Sequence, residues 1–434
     1  MTAAFPADPL PSDPMPGCAL PGTPLAAALP GINACVHCGF CLQACPTYLN
    51  LEDENDSPRG RIFLMRSLLE GTVKPDDPSV HEHIDQCLGC RACEPVCPSG
   101  VPYGQLLEAT RATLRDSRPI PPIARLILFV FARPWLLIPA MFFSRILAAT
   151  PIPTLLSGLR GRLGFAMAML ASTGRSIERS RYRPVSSGER GRVATLKGCV
   201  MEGLFSATNR ATERVLLVNG YATVPAPGQQ CCGALHAHAG DLEIARKLAR
   251  RNISAFEKSG AELVAVNAAG CGAIMKEYGH LLHDDEEWRA RAESLGSKVR
   301  DISELLAVAG PQTGGSLPVR VTYDAPCHLQ HAQRITQAPL SVLAAIPGLE
   351  LVPLHDSDQC CGSAGIYNLI EPDTSDAVLK PKLANILAAG APFVATGNPG
   401  CLMQIGAGLI QADMPARSIH PVDLLDASYA ALGQ

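Results

Sequence analysis

The chain has 434 residues, 47% of them apolar, enough for a large core shared among two or three domains. A net charge of −3 without a long basic run argues against nucleic acid as a partner. Seventeen cysteines in a long chain that opens without a secretory signal point to reduced thiols at metal-ligand spacing rather than to disulfides.

Residues 1–29 are rich in proline ("MTAAFPADPLPSDPMPG") and read as a mobile arm. Cys18 lies in this arm and receives no role. The other sixteen cysteines fall into motifs.

The next segment, 30–118, carries two runs of the form C-x2-C-x2-C-x3-C-P. "CVHCGFCLQACP" supplies Cys35, Cys38, Cys41 and Cys45; "CLGCRACEPVCP" supplies Cys87, Cys90, Cys93 and Cys97. Three closely spaced thiolates let one loop wrap a face of an iron–sulfur cube. In two-cluster ferredoxins the fourth cysteine ligates the other cluster. The expected sets are therefore Cys35, Cys38, Cys41 and Cys97 for one [4Fe–4S] cluster, and Cys87, Cys90, Cys93 and Cys45 for a second. A zinc reading needs four ligands per ion and leaves the third cysteine of each run unexplained. Between the runs, "SPRGRIFLMRSLLEG" predicts a helix from Pro58 to Gly71 with Ile62, Leu64, Met65, Leu68 and Leu69 on one face. Arg59 and Arg61 have three readings: neutralisation of cluster charge, contact with an acidic substrate-side partner, or a solvated helix start. His37 reads as a loop residue.

Residues 119–190 form an apolar connector followed by a basic linker. "PPIARLILFVFARPWLLIPAMFFSRIL" (121–147) is broken by Arg133, Pro134 and Pro139, so it reads as two short helices rather than one span. Packing on the following domain is the first expectation for them, ahead of a docked partner or a membrane surface.

The remainder is an internal repeat, with units at 191–312 and 313–434. Cys327 follows Cys199 by 128 positions, Cys360 follows Cys231 by 129, and Cys401 follows Cys271 by 130. Short apolar runs lead into the cysteines and helical patterns follow, which implies parallel α/β sheets with sites at the carboxyl ends of the strands. Each unit then gathers four thiols: Cys199, Cys231, Cys232 and Cys271 in the first, and Cys327, Cys360, Cys361 and Cys401 in the second. Adjacent cysteines reach one site only if the chain turns sharply, which Gly233 and Gly362 permit. The expected fold is α+β overall: a helical two-cluster ferredoxin-like domain followed by a duplicated α/β domain with short parallel sheets. His236, His238, His328 and His331 flank the stations and read as loop hydrogen-bonding residues, with proton transfer or bonding to a cluster as the other reading. Pro381 predicts a kink or late start in the helix that contains it.

A double ferredoxin motif followed by two CCG units resembles the iron–sulfur subunits of bacterial glycolate oxidase. The wider superfamily holds heterodisulfide reductase subunits, the C subunit of anaerobic glycerol-3-phosphate dehydrogenase, and lactate-utilisation proteins. "CVHCGFCLQACPTY", "SPRGRI", "CCGALHAHAG" and "PCHLQHAQ" carry the closest likeness. The resemblance implies an electron-transfer subunit of a hetero-oligomeric 2-hydroxy-acid dehydrogenase. FAD and substrate oxidation belong to partner subunits, and a quinone or other membrane acceptor receives the electrons. It places the chain in the cytoplasm or peripherally on the inner face of the cell membrane. Lactate or glycerol-3-phosphate dehydrogenase subunits and a disulfide reductase are the alternatives. Ile274 and Gln404 stand where the disulfide reductases have a fifth cysteine, so each CCG unit offers four thiolates, enough for one further cluster apiece.

Overall fold

A computed structural model describes residues 17–117, 120–174, 182, 184 and 186–432. The first sixteen positions of the expected arm, and 175–181, 183 and 185 of the expected linker, lie outside the described residues. The chain divides into two compact units, 1–120 with 238–241, and 121–237 with 242–434.

The first unit is helical. Its central helix, Pro58–Glu70, starts where Ser57 accepts a bond from the Gly60 N–H and ends at Gly71, whose φ of +73° is left-handed. Met65, Leu68 and Leu69 from this helix pack with Ile84, Leu106 and Leu107 into the core. Burial of each such side chain contributes about 1.5–3 kcal/mol. The arm expectation fails where the chain is described. The helix Pro24–Ala27 is capped by Thr23. Leu25 is fully buried, and the Ala19 N–H donates to the Leu69 carbonyl at 2.8 Å. Proline content suggested mobility, but Pro24 sits at a first helical position, where a missing N–H costs nothing.

The second unit opens with the helices Pro122–Phe131, Pro134–Ala148, Ile152–Leu156 and Arg162–Ala171. The first two bend against each other by 107°, and among the described residues no single helix is long and apolar enough to cross a membrane. The break falls at Arg133–Pro134, as expected. The helices do pack on the following domain, with Phe131 against the core of the first repeat and Arg145 donating to the Gly203 carbonyl at 2.9 Å, but only one side of them is used. Leu128 and Leu137 turn inward, but Trp135, Ile138, Phe142 and Phe143 face solvent.

Two four-stranded sheets follow. Strands β1 (Arg192–Thr195), β2 (Ala222–Val224), β3 (Leu263–Val266) and β4 (Val299–Asp301) are ordered β2-β1-β3-β4. Strands β5 (Arg320–Tyr323), β6 (Glu350–Val352), β7 (Phe393–Ala395) and β8 (Arg417–Ile419) are ordered β6-β5-β7-β8. Every pairing is parallel, with Val193 opposite Leu263 and Val321 opposite Phe393 in matching register. Burial on both faces by helices explains strands such as "LVAV" that are apolar throughout. One core joins the sheets, running through Val193, Ala265, Leu305, Val321, Ala395 and Leu424. The helix containing Pro381 runs from Pro372 to Ala389, so a late start is ruled out.

Candidate metal centres

The two cysteine runs of the first unit close two cavities. One is lined by Cys35, Cys38, Cys41 and Cys97, with Cys93 at its wall. The other is lined by Cys45, Cys87, Cys90 and Cys93. Each fourth cysteine therefore sits with the opposite run. The loops curl through paired left-handed residues: His37 (φ +54°) and Gly39 (+85°) in the first, Gly89 (+61°) and Arg91 (+63°) in the second. Such turns aim successive backbone N–H groups into a concavity suited to an anionic group. The Gly89 N–H lies 3.4 Å from Cys87 Sγ, and the Tyr103 hydroxyl lies 3.6 Å from it. Cys45 starts the helix Pro46–Leu51, its Sγ 3.2 Å from Thr47 Oγ1.

Arg61 is not part of a solvated helix start. It is fully buried. It donates to the Asp56 carboxylate at 3.0 Å and to the carbonyl of the same residue. Further bonds reach Thr47 Oγ1 at 3.0 Å and the His83 carbonyl at 2.6 Å. Burial alone would lower its pKa, but Cys87, Tyr103, Cys45 and Asp56 hold it above the ordinary value. A fixed positive charge thus borders the second cavity. Arg59 borders the first, where it pairs with Glu54 at 2.6 Å. Burial pushes the Cys41 thiol up to about 11, and burial with Cys90, Cys87 and Cys45 nearby pushes Cys93 well up. Four crowded thiols form a donor set that a cationic iron core would satisfy, releasing protons on binding.

In the second unit every cysteine station follows a strand end. Cys199 follows β1, Cys231 and Cys232 follow β2, and Cys271 follows β3; β5, β6 and β7 lead to the second set in the same way. In the first set the Cys232 and Cys271 sulfurs lie 3.2 Å apart, and Cys199 bonds to Cys231. In the second, Cys327 bonds to Cys360, Cys360 to Cys361, and Cys361 to Cys401. Contact with neighbouring thiols, then burial, raises Cys232 and Cys401 well above the ordinary thiol range. All the described cysteines are free of disulfides. Gly233 and Gly362 have φ of +92° and +85°. A Cβ at Gly362 would stand 2.5 Å from the Ser375 carbonyl oxygen, so the turn behind the cysteine pair requires glycine. Each set brings four soft donors together, and both fit an iron–sulfur group.

The frames around the two stations differ. In the first, Asn252 donates to the Cys231 carbonyl at 3.0 Å, and the Tyr278 hydroxyl donates to the Cys232 carbonyl at 2.7 Å. In the second, position 382, which corresponds to 252, is a buried lysine. Lys382 Nζ lies 3.0 Å from Asp324 Oδ1 and donates to the Asp356 carbonyl at 2.8 Å. Thr396 donates to the other Asp324 oxygen at 2.8 Å. Burial alone would lower the Lys382 pKa; Asp324 raises it above the ordinary value. The positions expected to distinguish this chain from five-cysteine proteins have structural work. Ile274 is core. Gln404 donates to Ser375 Oγ at 2.9 Å, and Ser375 donates to the Gly362 carbonyl at 2.9 Å, bracing the turn.

Of the flanking histidines, three bond outside the thiols. His236 meets the Leu128 carbonyl at 3.0 Å, His238 meets Glu108 at 2.8 Å, and His331 meets the Asp358 carbonyl at 3.0 Å. His328 Nδ1 lies 3.4 Å from Cys327 Sγ. Sequence reasoning missed His420, Tyr278 and the Lys382–Asp324 pair. Tyr278 and Lys382 lie outside the cysteine motifs and reach a station only through the tertiary fold, and Asp324, three residues before Cys327, gains its meaning only from Lys382. The His420 ring meets the Asn267 carbonyl at 2.9 Å.

Residues 31–101 match the 4Fe-4S dicluster domain family, and 193–276 and 321–406 each match the family described as a cysteine-rich domain, CCG. The chain is 38% identical to the probable glycolate oxidase iron-sulfur subunit of Bacillus subtilis, over 90% of this chain and 92% of that one. It is 37% identical to the glycolate oxidase iron-sulfur subunit of Escherichia coli, over 85% and 88%. The lactate utilization protein A of an Exiguobacterium species is 30% identical over 54% of this chain and 96% of its own. A two-run cysteine domain followed by duplicated CCG units, aligned over nearly the whole length of such relatives, places the chain in the family of glycolate oxidase iron–sulfur subunits.

Proposed function

We propose that this chain is the electron-carrying subunit of a glycolate-oxidising complex. In this reading it accepts electrons from a partner flavin subunit that converts glycolate to glyoxylate, and it passes them to a quinone or other membrane acceptor. The observation that carries the reading is the crossed lining of the two ferredoxin cavities, with Cys97 beside the first run and Cys45 beside the second. Bound [4Fe–4S] groups would supply reversible one-electron storage. Cys35, Cys38, Cys41 and Cys97 would hold one and Cys45, Cys87, Cys90 and Cys93 the other, with each four-thiol CCG station holding a further one. The chain's own residues do the rest. Arg61 opposes the negative charge of the second set, the left-handed loops present backbone N–H groups, and Gly233 and Gly362 allow vicinal thiols to share one site. The near full-length likeness to glycolate oxidase subunits, against half-length likeness to the lactate proteins, favours glycolate.

Removal of this chain from the purified complex tests the reading. The flavin subunits alone should still reduce an artificial dye with glycolate but lose reduction of the quinone; retained quinone reduction would overturn the assignment. Iron analysis of the anaerobically purified chain distinguishes about eight irons, for the ferredoxin sites alone, from about sixteen with both CCG stations filled.

A further inference from the structure

Twelve of the twenty large apolar side chains exposed among the described residues lie between Ile123 and Leu163. Trp135 is 69% exposed, Phe143 67% and Leu155 75%. Leaving this much apolar surface in water is costly, and contiguous patches of this kind mark interaction faces. The charge of the segment is equally one-sided. Residues 120–174 contain five arginines, Arg125, Arg133, Arg145, Arg160 and Arg162, and no lysine, aspartate or glutamate, in a chain whose net charge is −3. Among the described residues none of the five pairs with a carboxylate. The Arg133 guanidinium lies over the Phe129 ring, 3.6 Å from its centroid, and donates to the Phe129 carbonyl at 3.0 Å, so a cation rests directly on the apolar face.

We infer that the face formed by the helices Pro122–Phe131, Pro134–Ala148 and Ile152–Leu156 is a membrane-surface element that inserts shallowly into an anionic bilayer. The geometry excludes a simple span. Ten and fifteen residues give helices of about 15 and 22 Å, short of the roughly 30 Å hydrocarbon core. Their mutual bend of 107° prevents them from adding end to end. Helices of this size lie in the interface with apolar side chains among the acyl chains, tryptophan near the headgroups and cationic side chains on lipid phosphates. Charge complementarity selects lipid over a protein partner. A protein interface of this size carries about one hydrogen bond per 100–200 Å², whereas the outward side chains here, Thr154 apart, are aliphatic, aromatic or arginine. The inference rests on the membrane-acceptor reading for its purpose and on this face for its location.

The test uses the intact complex with its partner subunits. Flotation with phosphatidylglycerol–phosphatidylethanolamine vesicles should recover the complex at low salt, and phosphatidylcholine vesicles should recover much less. The triple variant W135S/F142S/F143S should lose at least about tenfold in vesicle binding while still reducing a soluble dye with glycolate. R125E/R160E should lose the salt-sensitive part. With Trp288 replaced by Phe, Trp135 is this chain's remaining tryptophan, and brominated lipid should quench the complex's fluorescence more than that of the same complex carrying Trp135→Phe. Absent flotation and absent quenching in the wild-type complex would overturn the inference. So would failure of the triple variant to assemble with the flavin subunits, which would make the face a protein interface. Vesicle binding without quinone reduction would instead sink the acceptor reading and leave the surface standing.

Discussion

Lys382 and Asp324 form a fully buried ion pair, Nζ to Oδ1 3.0 Å, in the electrostatic reach of Cys360 and Cys361. The first CCG unit has Asn252 and Leu196 at the corresponding positions, both buried and uncharged. The repeats therefore keep the same strand order and the same four cysteines but close the loop ahead of the vicinal pair differently. Asn252 holds that loop by amide bonds to Gln230 and Cys231. Lys382 holds it by donating to the Asp356 and Ser357 carbonyls.

Removal of one partner of such a pair leaves an uncompensated charge in a dry site. Lys382→Met should cost about 3–5 kcal/mol of stability. The double variant D324L/K382M should recover much of that loss, because it discards both charges. Anaerobic thermal unfolding of the wild type, both single variants and the double variant closes the cycle. A double variant as unstable as the sum of the two singles would show that the residues do not act as a pair.

What was legible in the sequence was local. Ligand spacing is set by a loop of a few residues, so the ferredoxin runs announced their chemistry. The CCG repeat announced itself through the near-constant offset of its cysteines. Gly233 and Gly362 were legible because only a sharp turn lets adjacent thiols face one site. The Lys382–Asp324 pair was not legible, since the two residues meet only after β5 and the helix Pro372–Ala389 pack together. The arm misled for a different reason, and the apolar connector was legible only in part. Composition reports what a segment is made of and not which side it buries. Pro24 turned out to start a packed helix, and the apolar residues around Trp135 face outward.

His420 gives a pH dependence. Its ring is buried, the Nε2–H donates to the Asn267 carbonyl at 2.9 Å, and Nδ1 accepts from the Val422 N–H at 3.1 Å. This capping geometry requires the neutral ring, since a proton on Nδ1 would face another N–H. Burial lowers its pKa to about 4, against an ordinary 6.5. The unfolded chain therefore binds the proton first. The stability contributed by the neutral ring is present above about pH 6.5 and is lost as pH falls toward 4. Buried Asp301 acts in the opposite sense. Burial raises it to about 6, so its contribution is present at low pH and lost as pH rises through 6. Comparison of His420→Asn with the wild type at each pH cancels the Asp301 effect, because Asn keeps a capping acceptor but does not titrate. The variant should be less stable than the wild type near neutrality, and the gap should narrow on acidification from pH 6.5 to 4. A gap independent of pH would mean that folding leaves the His420 pKa unshifted, and a gap that widens on acidification would mean that the ring folds charged.

The crossed lining of the ferredoxin cavities predicts which substitutions share a phenotype. Cys38 and Cys97 are 59 positions apart but line one cavity, whereas Cys90 and Cys97, in the same run, line different ones. In the reduced protein, Cys38→Ser and Cys97→Ser should alter the same paramagnetic signal, and Cys90→Ser and Cys45→Ser should alter the other. Sequence proximity alone would group Cys97 with Cys90 and Cys45 with Cys38. Cys93 lines both cavities, between the two sets, so Cys93→Ser should shift its own signal and weaken the magnetic coupling between the two. Electron paramagnetic resonance of the five single variants, reduced stepwise, separates these patterns. If Cys97→Ser changes the signal that Cys90→Ser changes and spares the other, each run holds its own cluster and the crossing does not govern ligation.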